Sequence, residues 1–277
     1  MTAASPPWLE VREGDAPIIV AFPHTGADIP EEIAGGMVSP WLARLDADWW
    51  VDLLYDFATE LGATTVRTAI SRSVIDVNRD PSGASLYPGQ ATTELCPTVT
   101  FDGEPLHLDG KAPDDAEIAR RRALYFDPYH KALATQVDRA RGRHPTVVLY
   151  DAHSIRSRIP RLFEGTLPQF NVGTHDGRSC GPGLTKAVEQ ICAGSARPYV
   201  VNGRFKGGWT TRRYGRPAEG VHAIQMELAC RGYMAEPAEN PDPTTWPSAF
   251  DSARAAPMRA ILADILKACV AFAQQSE

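Results

Sequence analysis

Thr146-Val147-Val148-Leu149-Tyr150-Asp151-Ala152-His153-Ser154 passes directly from an apolar run to a cluster of chemically capable side chains. A short β-branched run bounded by turn residues reads as a buried strand. Pro17 to Phe22 (PIIVAF) repeats the pattern and is followed at once by Pro23-His24-Thr25-Gly26. Ala63 to Ile70, Tyr199 to Val201 and Val221 to Leu228 are further runs of this kind. Between them lie segments with helical periodicity: Trp41, Leu45, Trp49, Leu53, Leu54, Phe57 and Leu61, then Asp114 to Arg141, and Gly183 to Gly194. A last helix is expected from about Ala256, with Pro257 in its first turn. Alternating strands and helices predict an α/β protein, and we expect a single domain over residues 1–277 in three α/β/α layers around a mixed, mostly parallel sheet. Ser71 to Leu108 and Ser154 to Phe170 lack periodicity and read as long loops, which in compact domains are usually functional.

Composition narrows the partners. With 28 Lys+Arg against 34 Asp+Glu the formal charge is -6, so phosphate backbones and anionic lipid meet no global attraction. No apolar run approaches the roughly 20 residues a bilayer requires, and the N-terminal stretch lacks a basic segment followed by an apolar one. The expectation is a cytoplasmic protein, a monomer or small homo-oligomer, that engages neither nucleic acid nor membrane. The five cysteines, Cys96, Cys180, Cys192, Cys230 and Cys269, form no CxxC pair, so any metal falls to histidine and carboxylate.

Ligands gather at the carboxyl ends of strands in open α/β sheets. His24 and His153 each follow an apolar run and are followed by Thr or Ser, so both can offer a neutral imidazole nitrogen to a divalent cation. A catalytic zinc site commonly adds a third protein ligand, and the nearby acids are Asp28, Asp46, Asp48 and Asp151. Spacing does not separate Asp48, placed before Trp49-Trp50-Val51 on an apolar helix, from Asp46. Arg72, Asn78 and Arg79 lie in SRSVIDVNRDP and suit an anionic substrate, although a structural ion pair of Arg79 with Asp76 or Asp80 is the plainer reading of that stretch taken alone. Glu227 sits in an apolar strand beside His222 and Gln225, where burial would raise its pKa and fit it for proton transfer. Pairing with Arg212, Arg213 or Arg216 is the plain alternative. Asn202 to Gly208 is glycine-rich but lacks the spacing of a phosphate loop.

The order His24, an acid, Asn78-Arg79, His153, Glu227 resembles the zinc carboxypeptidase and aspartoacylase superfamily, except that Ala27 stands where that group usually carries a glutamate. PHTG, DADWWVDLLYDFATELGA, SRSVIDVNRD, LYPGQATTELCPTVTFDGEPL, YDAHSIRSRIPRLFEGTLPQFNVGT, NGRFKGGWTTRRYG and VHAIQMELACRGYM are together similar to the N-formylglutamate amidohydrolases, the deformylases of histidine degradation. The likeness runs from about Pro17 to about Met234 and implies a hydrolase fold of the zinc-exopeptidase kind. It also implies Asp48 rather than Asp46 as third ligand, with His24 and His153, for Zn²⁺ or another divalent transition metal such as Co²⁺. Glu227 is implied as acid and base, and Arg72, Asn78, Arg79 and Arg212 fall on basic or polar motif positions that we assign to the two substrate carboxylates. His222 or an arginine would add an oxyanion donor. The expected reaction is hydrolysis of N-formyl-L-glutamate to formate and L-glutamate. The alternatives are a related zinc amidohydrolase for another N-acyl amino acid and a non-catalytic anion-binding protein.

Overall fold

The computed structural model describes residues 6–237 and 240–275. Seven strands form one sheet: β1 (Leu9–Arg12), β2 (Ile18–Phe22), β3 (Thr64–Thr68), β4 (Val147–Ile155), β5 (Phe170–Gly173), β6 (Tyr199–Val201) and β7 (Val221–Ala229). Their order is β1-β3-β2-β4-β7-β5-β6. The central strands β3, β2, β4 and β7 are parallel, whereas β1 runs antiparallel to β3 and β5 antiparallel to β7. The sheet is therefore mixed around a parallel centre.

Period-two alternation assigns side chains to two layers. Val148, Tyr150 and Ala152 of β4, with Ile224 and Met226 of β7, pack in a core with helices α2 (Val51–Leu54), α5 (Pro182–Gly194) and α7 (Ser252–Gln275). Val147 and Leu149, with Val221 and Ala223, face the opposite core beneath α4 (Asp127–Arg141) and the short α6 (Trp209–Tyr214). Apolar side chains on both faces explain why β4 and β7 occupy the middle of the sheet. The short α1 (Glu31–Ala34) and α3 (Asp115–Arg121) complete the set, α3 starting at Asp114, whose side chain accepts the Glu117 N–H at 2.8 Å. One π-helical turn, Arg122–Phe126, joins α3 to α4, so the periodic stretch Asp114 to Arg141 is one rod.

Several boundaries differ from the sequence expectation. β4 runs on to Ile155, so Asp151 and His153 lie within the strand. The short strands β1 and β5 went unforeseen, and Phe170 opens β5. The helix expected from Trp41 to Leu61 is broken into a 3-10 turn at Leu42–Arg44, then α2, then a 3-10 stretch at Asp56–Leu61. The Asp48 N–H is donated to the His24 carbonyl at 2.9 Å and Trp50 adopts φ 63, a left-handed conformation that stops a right-handed helix. α7 begins at Ser252, because the Asp251 carboxylate accepts the N–H groups of Ala253 and Arg254; Pro257 consequently stands inside the helix. Among the described residues no helix is long and apolar enough to cross a membrane.

Candidate active site

On the α4 side of the sheet the two central strands change character in step. β4 reads Val147, Leu149, Asp151, His153, Ile155 along this face, and β7 reads Val221, Ala223, Gln225, Glu227, Ala229. The parallel register sets Asp151 beside Gln225 and His153 beside Glu227. The polar rows lie beyond the reach of the α4 core, and Ile155 and Ala229 close them off in a third small apolar cluster with Phe101, Ile159 and Leu167. His24 leaves β2 on the neighbouring side. Its carbonyl accepts the Asp48 N–H, which carries the turn at Asp48 to the same place.

His24, Asp48 and His153 are buried, and one ligating atom of each lies within 4.8 Å of the others. His24 Nε2 is 2.6 Å from Asp76 Oδ1, so this nitrogen donates and Nδ1 faces Asp48 Oδ2 at 3.7 Å. His153 Nε2 is 3.1 Å from Asp151 Oδ2, which leaves Nδ1 facing Asp48 Oδ2 at 3.0 Å. Two imidazole nitrogens and a carboxylate thus converge, an arrangement able to hold a cation among them. Asp48 Oδ1 is also buried with no hydrogen-bond partner. Two neutral histidines and one aspartate, each histidine steered by its own carboxylate, are a donor set suited to a divalent transition metal. The residues present fit such an ion.

The electrostatics show the same demand for positive charge among these groups. Burial alone would neutralise Asp48, but its hydrogen bonds with His153 and His24 hold its carboxyl well below the usual range. Burial likewise opposes charge on Asp76, and Arg79, His24 and Arg72 outweigh it. For His153 burial favours the neutral ring, yet the charges of Asp151 and Asp48 keep its pKa well above the ordinary value. Glu227 behaves oppositely. Burial pushes its carboxyl up to about 8, with His153 pulling the value down and Asp48 pushing it up.

Glu227 has no Lys or Arg within ion-pair distance among the described residues, which disposes of pairing with Arg212, Arg213 or Arg216. Its Oε2 accepts from Gln225 Nε2 at 3.2 Å, and Gln225 Oε1 in turn accepts the Gly208 N–H at 2.7 Å. The carboxylate opens into a cleft of about 560 Å³, mouth included, whose walls include His24, Arg72, Arg79, His153 and Arg204.

The sequence-derived substrate residues separate here. Arg72 stands against the cluster: Nη2 donates to Asp76 Oδ2 at 2.6 Å, Nη1 lies 3.2 Å from His24 Nδ1, and the guanidinium stacks on Phe101 at 4.6 Å. Arg79 lines the cleft while donating to the Thr93 carbonyl and hydroxyl, each at 3.0 Å. Asn78 reaches the wall, but its Nδ2 is 3.1 Å from Asp151 Oδ2 and 2.9 Å from His153 Nε2, and its Oδ1 accepts the Thr210 N–H. Its amide is thus committed to Asp151, the carboxylate that orients His153, and to α6. Arg212 does not line the cleft; it donates to the Gly207 carbonyl and lies behind the Tyr87 ring.

His222 stands apart from Glu227 and supplies no oxyanion donor. They stand five positions apart on β7, an odd offset, so they project from opposite faces, roughly 16 Å apart along the strand. His222 Nδ1 accepts the Gly181 N–H at 2.9 Å, and its ring meets Phe272 of α7 edge-on. Sequence reading missed Arg204, whose glycine-rich loop offered no phosphate-binding spacing, and the role of Asp76, which only a through-space contact with His24 discloses.

Comparison with known proteins places the chain. An N-formylglutamate deformylase of Pseudomonas aeruginosa is 40% identical over 268 residues, 96% of this chain and 97% of that one. One from Pseudomonas putida is 41% identical over 265 residues, covering 95% and 96% respectively. A crystal structure of an N-formylglutamate amidohydrolase from Ralstonia eutropha superposes with a TM-score of 0.78 at 24% identity, over 97% of this chain and 99% of that one. That of an Agrobacterium tumefaciens gene product gives 0.68 at 19% identity, over 95% of each. The likeness of the two solved structures is one of fold. The family model described as N-formylglutamate amidohydrolase matches residues 16–234, and with relatives this similar along nearly the whole chain, the protein belongs to the N-formylglutamate amidohydrolase family.

Proposed function

We propose that the protein hydrolyses N-formyl-L-glutamate to formate and L-glutamate, as the names of its Pseudomonas relatives state for those proteins. The observation that carries this reading is Glu227: a buried carboxylate with no Lys or Arg within ion-pair distance among the described residues, in register with His153 and facing a cleft walled by arginines. His24, Asp48 and His153 would hold one divalent ion, with Zn²⁺ or Co²⁺ matching two imidazoles and a carboxylate. When bound, the ion supplies Lewis-acid polarisation of the formyl carbonyl and a nucleophilic water at neutral pH.

The chain's own residues do the rest. Glu227 takes one proton from the attacking water as the carbon–oxygen bond forms, and returns it to the glutamate nitrogen as the carbon–nitrogen bond breaks. Its raised pKa suits it to both tasks. Gln225 fixes Oε2, so among the described residues Oε1 is the atom without a protein hydrogen bond. Arg72, beside His24, places positive charge where the carbonyl oxygen becomes negative. Arg79 stands ready for a substrate carboxylate. The five buried free thiols fit a reducing compartment, and on that ground we place the enzyme in the cytoplasm.

The test is formate release from N-formyl-L-glutamate by metal-loaded protein. Glu227→Gln should lower kcat by about 10²- to 10⁴-fold with product binding retained. Near-normal formate release by the variant would remove Glu227 from the proton-transfer role.

A further inference from the structure

Of the arginines that line the cleft, Arg72 and Arg79 are tied to Asp76, at 2.6 Å and 3.6 Å. Arg204 differs. It lines the same cleft, and among the described residues no carboxylate lies within ion-pair distance of it. Its Nε donates to the Leu162 carbonyl at 2.9 Å and its Nη2 to the Ala91 carbonyl at 2.7 Å. Two aromatic rings flank the guanidinium, Tyr87 at 5.5 Å and Phe205 at 5.3 Å. These contacts use two of five N–H groups and aim the fork, leaving Nη1 and the second Nη2 hydrogen for a ligand. The nearby charge of Arg79 and the partial burial both disfavour a cation here, a cost that an incoming anion would relieve.

Position indicates which anion. Every group that holds Arg204 belongs to the loops that line the cleft, and none belongs to the His24, Asp48 and His153 cluster. In an N-acyl amino acid the α-carboxylate is one carbon from the reacting amide nitrogen and must stay near that cluster, where Arg72 and Arg79 stand. A side-chain carboxylate lies farther out. Ile155, Leu162 and Phe205 line the same cleft and suit methylene groups.

Resting on the deformylase reading above, we propose that Arg204 is the specificity-determining residue of this enzyme, binding the side-chain carboxylate of the substrate while Tyr87 and the Leu162 and Ala91 carbonyls hold it in place. Tyr87 is pinned in turn, its hydroxyl donating to the Gly207 carbonyl at 2.9 Å and its ring lying between Arg204 and Arg212. Arg212 thereby acts behind Tyr87 and touches no substrate.

The experiment compares wild type, Arg204→Gln and Arg204→Lys on N-formyl-L-glutamate and on N-formyl-L-glutamine, which has the same shape and no side-chain charge. L-Glutamate binding to each protein is measured by calorimetry alongside. In Arg204→Gln the kcat/KM preference for the anionic substrate should fall by roughly 10- to 100-fold, mostly through KM, and L-glutamate affinity should fall in parallel. Arg204→Lys should recover part of the loss, since the charge remains without the fork. An equal loss on both substrates, or an unchanged preference, would overturn the assignment and leave the deformylase reading intact. A wild type that cleaves neither substrate would overturn both.

Discussion

His24 and His153 each turn one nitrogen to a carboxylate and the other to Asp48. The tautomer, and with it the direction of the free lone pair, is therefore set by Asp76 and Asp151. Replacing either by asparagine keeps the shape but weakens that control. We expect Asp76→Asn and Asp151→Asn to bind Zn²⁺ about 10- to 100-fold more weakly, read by competition with a chromogenic chelator. Unchanged affinity in both would show that packing alone orients the rings. Asp76 has the wider reach, since Arg72, Arg79 and the Asn78 N–H also converge on it. At this scale the sequence was legible where chemistry follows an apolar run directly, as at His24, or interrupts one, as at Glu227. It was illegible where a role depends on the far partner. Asp76 resembles any loop acid, Arg204 any glycine-flanked arginine, and His222 looked close to Glu227 only because nearness in sequence hides the two faces of a strand.

Among the elements, β4 and β7 were readable because both of their faces are apolar over the buried half. The turn at Asp48 was not, because its hydrophobic spacing imitates a helix while the His24 carbonyl claims its N–H. α4 and α6 are joined to the site by a contact no local pattern announces. His130 of α4 donates from Nε2 to the Val77 carbonyl at 2.7 Å, just before Asn78, and its ring stacks on Tyr214 of α6. Burial lowers the His130 pKa to about 4 against the opposing hydrogen bond to Val77. With a folded value below the unfolded one of about 6.5, the unfolded chain takes up the proton first. This contribution to stability is complete above about pH 6.5 and is lost as the pH falls toward 4. Urea unfolding should show about 2 kcal/mol of stability lost between pH 7 and pH 5 through this group, and His130→Gln should remove that part of the pH dependence. The same slope in variant and wild type would assign the effect elsewhere.

For the molecule as a whole, the cluster ties the turn at Asp48 to the ends of the paired strands β2 and β4, a connection the sheet alone does not make. A cation held there binds the folded chain and has no preformed site in the unfolded one, so its affinity becomes stability. The melting temperature of chelator-stripped protein should accordingly rise with the logarithm of added Zn²⁺, by the equivalent of about 4 kcal/mol at a thousandfold excess over Kd. His24→Ala and Asp48→Ala should each flatten that dependence, since either removes a converging atom. Leu266→Ala, in the α7 core on the opposite face of the sheet, should cost roughly 2–5 kcal/mol and leave the dependence on Zn²⁺ intact. A metal-independent melting temperature in the wild type would mean that His24, Asp48 and His153 share a proton rather than an ion. Catalysis would then rest on Glu227 and Arg72 without Lewis-acid assistance.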